Sequence, residues 1–332
     1  MQNSTAAGIR TDPPEASLPI DGVLDLLVCP RTGAKLARHG SELRAADGPS
    51  YRLSDSGVPL FSEKDCSPDA RRQQDHYERI AAAYVENLEY PQTQEYTAYL
   101  DRVLITAIDR PLGVTAELCC GRGEALSLLG PRAVRGVGVD ISLSMLEYAL
   151  SHNRNRGIAF VQAEATKLPL ATAAFDSVVM LGGIHHVRDL ARLFQEVSRI
   201  LKPGGRLYFR EPVSDFWPWR ALRWAIYRSS AALDQETERP LLWSETVPAL
   251  ESARLRIRLW KTYGFFGFCL FMNSDVLRFN KLFRFLPAVR AITRASTWLD
   301  AAILKLPGLE RCGLQVVGVA EKEGRGTQAP CQ

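Results

Sequence analysis

The stretch Glu117-Leu118-Cys119-Cys120-Gly121-Arg122-Gly123-Glu124-Ala125 decides the fold. The apolar run Thr115–Cys120 before the glycines reads as a buried strand, and Glu124–Leu129 after them as a helix. Glycine lets the backbone pass close to a ligand, because a Cβ there would collide with it. A second strand, Arg135–Asp140, ends in Asp140, about 20 residues after the turn. A carboxylate at that place can accept hydrogen bonds from both hydroxyls of a ribose. Alone the turn is weak, since a plain tight turn or a dinucleotide site has the same shape in sequence. The dinucleotide fingerprint, however, wants a third small residue at position 126, and Leu126 stands there.

Working outward, strands and helices alternate, as in a mostly parallel α/β sheet. Further strands are expected at Ile158–Glu164, Ser177–Gly182 and Gly205–Glu211, and helices at Leu143–Ser151 and Leu190–Leu201. Ser142 is a suitable N-cap for the first of these, and Gly204, after Pro203, a stop for the second. Leu255–Thr262 and Leu314–Ala320 fit a closing pair of strands. Residues 1–17 and 323–332 read as disordered ends. Residues 18–64 are short apolar runs punctuated by Gly, Ser and Asp, a small β module. A polar helical bridge over 65–85 opens the main domain, 65–322, into which helical lids are inserted at about 213–250 and 264–310.

Composition bounds the rest. The 332 residues are 46% hydrophobic and 23% charged, enough for one large domain with an appendage. A formal charge of +4 is too small to argue for nucleic acid. Seven cysteines without a CxxC pair suit a reducing compartment. The first residues lack the basic flank and apolar run of a signal peptide. The strongest apolar stretch, Tyr263–Met272, is about half the ~20 residues of a membrane span. The expected location is the cytoplasm, with peripheral contact at a membrane as an addition.

Later motifs sharpen the reading. Glu164-Ala165 closes the third strand, Phe175-Asp176 comes just before the fourth, His185-His186 follows it, and Leu201-Lys202-Pro203-Gly204-Gly205 leads into the fifth. With Glu117, Gly121, Gly123 and Asp140, these residues resemble the class I S-adenosylmethionine-dependent methyltransferases, especially the group of the ubiquinone-pathway C-methyltransferases. The resemblance covers residues 75–211 and the last strand, and implies a Rossmann-like seven-stranded sheet with S-adenosyl-L-methionine as cofactor. It implies that Glu117 and the Gly121–Gly123 backbone hold the methionine moiety and that Asp140 takes the ribose. Ile141 would pack on the adenine, Glu164 read its exocyclic amine, and Ala165 offer its N–H to the ring. Cys119 stands where the family usually has glycine.

Methyl transfer from a sulfonium needs mainly alignment and exclusion of water, and a base only if the acceptor loses a proton. His186 and His185 are the candidate bases, with an ordinary pKa of about 6.5 suited to the task; shaping the cofactor site is the competing role. Tyr77, Tyr84 and Glu211 are candidates on the acceptor side. Cys119 and Cys120, inside the cofactor turn, are not read as nucleophiles.

Two segments lie outside this frame. Leu24–Pro30 (LDLLVCP) and Gly57–Phe61 (GVPLF) resemble the small zinc-ribbon-like module found with some RNA and protein methyltransferase systems. Structural zinc needs about four ligands in paired spacing; only Cys29 qualifies, so a metal-free module packed on the main domain is expected. Residues 252–308 carry ten Lys or Arg against Asp275 and Asp300, with ten aromatics. There Arg278, Lys281 and Arg284 suggest a basic amphipathic helix, and Leu299, Ile303 and Leu306 the apolar stripe of a second. These fit a lid over an apolar small-molecule or lipid-linked acceptor, contact with an anionic membrane, or a plain cap. Interleaved aliphatics disfavour nucleic acid. The expected function is methyl transfer to such an acceptor; the alternatives are an RNA methyltransferase and a non-catalytic S-adenosylmethionine-binding protein.

Overall fold

The computed structural model describes residues 17–46, 48–64, 66–76, 78, 89–229, 239–272 and 278–324. Its centre is a seven-stranded sheet in the order β6-β5-β4-β7-β8-β10-β9. The strands are β4 (Val114–Leu118), β5 (Arg135–Asp140), β6 (Ile158–Gln162), β7 (Phe175–Leu181), β8 (Leu201–Pro212), β9 (Leu255–Tyr263) and β10 (Gln315–Lys322). β6, β5, β4, β7 and β8 are parallel, and β10 enters antiparallel between β8 and β9. The closing pair is thus adjacent in space across some 50 intervening residues, which form a helical insertion.

The parallel strands are buried on both faces, which is why they read as near-continuous apolar runs: Ile158–Gln162 is buried at every position. α2 (Glu124–Leu129) follows β4, and α3 (Leu143–His152) follows β5. Ser142 caps α3, its Oγ accepting from the Met145 N–H. α4 (Leu190–Ile200) starts at Asp189, whose carboxylate accepts from the Arg192 N–H, and buries Leu193, Phe194, Val197 and Ile200 on one stripe. The stripe faces β8 and α6 (Trp243–Ser252).

Gly204 does not end this helix. The chain is already extended at Leu201, which is fully buried and pairs with Phe175, so β8 begins there. Pro203–Gly205 forms an irregularity within the strand, with Gly204 at φ +75°. Asp176 fixes this corner: its carboxylate accepts from the Val114 N–H and Lys202 Nζ, at 2.9 and 2.7 Å.

At the N-terminal end β1 (Leu36–His39), β2 (Glu42–Ala45) and β3 (Ser50–Arg52) form a separate antiparallel sheet. The module packs on the main sheet through one shared core, in which Val23, Leu43 and Phe61 join Val137, Val161 and Leu170. Isolated bridges Leu27–Leu170 and Leu60–Gln162 stitch the two together. Cys29 is enclosed there, its Sγ 3.3 Å from the Tyr51 hydroxyl.

α1 (Pro91–Ala107) packs on β10 and β8 and carries the second insertion, α7 (Phe266–Phe271) and α8 (Val289–Ile303). Here two sequence expectations change. Arg278–Phe285 is a 3₁₀ helix, not an α-helix. The Leu299, Ile303 and Leu306 stripe does not face inward: Leu299 and Leu306 are 50% and 54% exposed, and Leu306 lies past the helix end. The buried face is Val289, Thr293, Thr297 and Asp300. Asp300 decides it. Its carboxylate accepts from the backbone N–H groups of Phe265, Gly267 and Phe268 and from the Tyr96 hydroxyl at 2.9–3.3 Å, so these orphan donors are satisfied only with this face inward. The expected ends 1–17 and 323–332 fall almost wholly outside the described residues.

Candidate functional site

The C-terminal ends of β6, β5, β4 and β7 open on a cavity of about 330 Å³, at the place where the strand order reverses between β4 and β7. Glu117, Cys119, Gly121, Asp140, Ile141, Glu164, Ala165 and His186 all line it. Residues drawn from four strand ends across seventy positions of sequence therefore meet in one place.

The turn after β4 is made by backbone geometry. Cys119 has φ +51°, Gly121 +49° and Gly123 +74°, all left-handed. Strand β4 accordingly stops at Leu118, before the expected Cys120. At Gly121 an added Cβ would meet no protein atom within 4 Å, so the space beside its backbone is open cavity. Gly123 does not line the cavity: it holds the left-handed turn before α2, against the Phe160 ring. The Cys119 side chain has room because Gly183 opposite has none; a Cβ there would lie 2.4 Å from that of Cys119. Burial pushes both the Cys119 and Cys120 thiols well above their usual range, which argues against a nucleophile.

Glu117 is 1% exposed, and its two carboxylate oxygens accept from the Ala125 and Leu126 N–H groups at the start of α2, at 2.8 and 2.9 Å. Burial nonetheless pushes its carboxyl up to about 8. Asp140 accepts from the Gly121 N–H at 2.7 Å and the Ser142 N–H at 2.9 Å, which locks the glycine turn to the end of β5. Burial raises its carboxyl too, against these donors. Glu164 is already engaged: it accepts from the N–H and hydroxyl of Ser67 at 2.8 and 2.9 Å and from the Thr166 hydroxyl. An adenine amine at Glu164 would share the carboxylate with Ser67.

Six carboxylates line this cavity, from Asp69, Glu117, Glu124, Asp140, Glu164 and Asp189, against the guanidiniums of Arg122 and Arg188. Two of the six, the buried Glu117 and the half-buried Asp140, have carboxyls raised by desolvation. Such a lining suits a ligand that brings cationic groups, and the open space at Gly121 suits one that lies against the backbone. S-adenosylmethionine, with an ammonium and a sulfonium, fits both features.

The histidines divide. His186 lines the cavity and His185 does not. His185 donates through, or accepts at, Nδ1 with Glu211 Oε2 at 2.8 Å, and its ring centre is 3.8 Å from that of His186. Glu211, the acceptor-side candidate, is fully buried and does not line this cavity. Its carboxylate instead accepts from the Gly183 and Ile184 N–H groups, both at 2.8 Å, and anchors the turn that carries both histidines. Burial pushes its carboxyl up to about 7. Tyr77 and Tyr84 lie outside the described residues. Sequence reasoning missed Asp69, Ala70 and Gln73, which line the cavity from the helical residues 68–76. Only the placement of a helix there was legible, not the side it turns to the cavity.

Comparison with known proteins agrees with this geometry. Residues 116–209 match the family model described as a methyltransferase domain. A 2-phytyl-1,4-naphtoquinone methyltransferase of Nostoc punctiforme is 29% identical over 137 residues, 39% of this chain and 60% of that protein. A demethylmenaquinone methyltransferase of Paenarthrobacter aurescens is 32% identical over 120 residues, 35% of this chain and 47% of that protein. The chain thus spans about half the length of these relatives. Among solved structures, the [4+2]-cyclase SpnF superposes with a TM-score of 0.54 at 16% identity, over 78% of this chain and 98% of that one. The fold is the Rossmann-like sheet of methyltransferases, with the small N-terminal sheet added.

Proposed function

We propose that the chain is an S-adenosylmethionine-dependent methyltransferase acting on a hydrophobic small-molecule acceptor. The observation that carries this reading is the convergence of Glu117, Asp140 and Glu164, from three adjacent parallel strands, on one acid-lined cavity beside the open backbone of Gly121. The names of the relatives, which act on naphthoquinone and menaquinone precursors, support the acceptor class.

S-adenosylmethionine supplies a methyl group already activated by its sulfonium. The work of the protein is then to bind, orient and keep water out. Glu117 holds the ammonium end, and Asp140 holds the ribose hydroxyls while its bonds to the Gly121 and Ser142 N–H groups keep it in place. Ile141 and Ala165 flank the adenine. His186 faces the acceptor and takes its proton where the acceptor has one to lose. Glu211 and His185, behind it, fix the turn.

The first insertion supplies the acceptor-side wall: Arg220, Arg223 and Trp224 of α5 (Trp217–Ser229) line the neighbouring cavity. The second insertion exposes Phe266, Phe285, Trp298 and Leu299 and the basic Arg284, Arg290 and Arg294, a composition suited to peripheral contact with an anionic membrane. No helix among the described residues is long and apolar enough to cross one. The N-terminal module serves as a packing support for β6.

The test is to incubate the protein with methyl-labelled S-adenosylmethionine and a cell extract, then separate organic-soluble molecules, RNA and protein. Label in the organic-soluble fraction supports the reading. Label confined to RNA, or none with cofactor bound, refutes it in favour of an RNA methyltransferase or a non-catalytic binder respectively.

A further inference from the structure

Two sets of contacts join the N-terminal module to the Glu164 end of the acid-lined cavity. In the first, the end of the module runs beside the end of β6. The Gln162 N–H donates to Pro59 O at 2.9 Å, and Gln162 O accepts from the Phe61 and Ser62 N–H groups at 2.9 and 3.3 Å. The buried Gln162 side chain donates in turn to Ile141 O at 3.1 Å. In the second, the chain reaches Ser67, which lines the cavity together with Asp69, Ala70 and Gln73 of the helical residues 68–76.

Ser67 turns both of its donors to Glu164. Its N–H donates to Oε2 at 2.8 Å and its hydroxyl to Oε1 at 2.9 Å. The hydroxyl oxygen itself accepts from the Ala70 N–H at 3.1 Å, so its single proton is left for the carboxylate. The Thr166 hydroxyl is a third donor, also to Oε1. A carboxylate offers about four acceptor positions. Three are filled by these donors, and Glu164 lines the cavity with the remaining one, on Oε2.

We propose that Ser67 is a specificity-determining residue of the cofactor site: it holds Glu164 as an acceptor only, so that the remaining carboxylate position takes the exocyclic amine of the base and turns away a carbonyl in its place. The claim rests on the methyltransferase reading above and specifies how that site chooses its base. Ser67 stands outside residues 116–209, which match the family model, so the choice is made with the N-terminal segment and not by the sheet alone. The energetics are asymmetric. An amine donates to the open position, whereas a carbonyl there sets two acceptors against each other and leaves both without a donor. Glu164 can meet a carbonyl only by taking a proton or by rotating. A proton would reduce three charge-assisted hydrogen bonds to neutral ones of about half the strength. Rotation would break the pair from Ser67.

The test compares, by titration calorimetry on the full chain, S-adenosylhomocysteine with S-inosylhomocysteine, in which a carbonyl replaces the amine. The wild type should prefer the adenosyl ligand by about a hundredfold or more. Ser67→Ala should narrow that ratio by about tenfold, the share of one charge-assisted hydrogen bond. Ser67→Thr, which keeps the hydroxyl, should restore it. Thr166→Ala, which removes a donor to the same oxygen and leaves Ser67 and its helix untouched, should narrow the ratio likewise. If Ser67 only supports the fold, Ser67→Ala weakens both ligands by one factor and the ratio stands; that result overturns the proposal alone, as does a wild type that binds the two ligands equally. If the wild type binds neither, the methyltransferase reading fails, and the proposal falls with it.

Discussion

Glu117 offers a pH-dependent signature of cofactor binding that its geometry makes quantitative. The carboxyl is buried, with a pKa pushed up to about 8, and it accepts from the backbone N–H groups of Ala125 and Leu126. Before binding it is therefore mostly protonated at neutral pH, and only about 1% ionised at pH 6 but about half at pH 8. A ligand ammonium needs the ionised form. Affinity for S-adenosylhomocysteine should then rise about fiftyfold, or about 2 kcal/mol, from pH 6 to pH 8. Titration calorimetry across that range reads it, together with the release of up to one proton on binding. Glu117→Gln should bind weakly at both ends and lose the slope that the wild type shows. The same shift has a stability consequence of fixed sign. Between the unfolded value near 4.5 and about 8 the folded chain holds a proton that the unfolded chain has lost. Stability of the ligand-free protein therefore falls as pH rises through this window. Glu117→Gln removes that loss, so it should match the wild type in melting temperature near pH 4 and exceed it increasingly up to pH 8 and above. A flat affinity profile in the wild type, or a slope that survives in the variant, refutes the reasoning.

Other outcomes follow from the same geometry. Asp140→Ala should weaken S-adenosylhomocysteine by about 1–3 kcal/mol, as a buried acceptor lost from the ribose hydroxyls, read by calorimetry. His186→Ala should lower turnover and leave cofactor affinity nearly unchanged; equal turnover would remove His186 from the chemistry. Glu211→Leu leaves the Gly183 and Ile184 N–H groups without their acceptor and should destabilise by about 2–4 kcal/mol in urea melts. Asp300→Ala strips three backbone N–H groups and the Tyr96 hydroxyl of one carboxylate, and should cost about 3 kcal/mol or more by the same assay.

The sheet was legible because each strand is a short apolar run and each helix a periodic one, bounded by residues with strong local preferences. Arg135–Asp140 and Glu124–Leu129 stand where the sequence puts them, and Ser142 caps α3 as its type suggests. The strand ends are where motif residues gather, so the cavity lining followed from the topology: Glu117, Asp140 and Glu164 meet because parallel strands bring their C-terminal ends together. Side-chain partners did not follow. Glu211 and His185 sit at strand and turn ends that sequence alone cannot aim, and Glu211 proved to serve buried N–H groups. The second insertion misled for the same reason. Its hydrophobic periodicity favours Leu299 and Ile303, yet Asp300 turns the helix, because the orphan donors at the start of α7 need an acceptor more than the core needs two aliphatics. Lys202-Pro203-Gly204 looks like a helix stop, but the buried Leu201 had already begun to pair with β7.

The measurement closest to the central claim is equilibrium binding of S-adenosylhomocysteine to the wild-type chain and to Asp140→Ala, by calorimetry at pH 8. The account predicts one site per chain, tighter in the wild type by the factor given above. Absence of saturable binding by the wild type, or binding indifferent to Asp140, would contradict it.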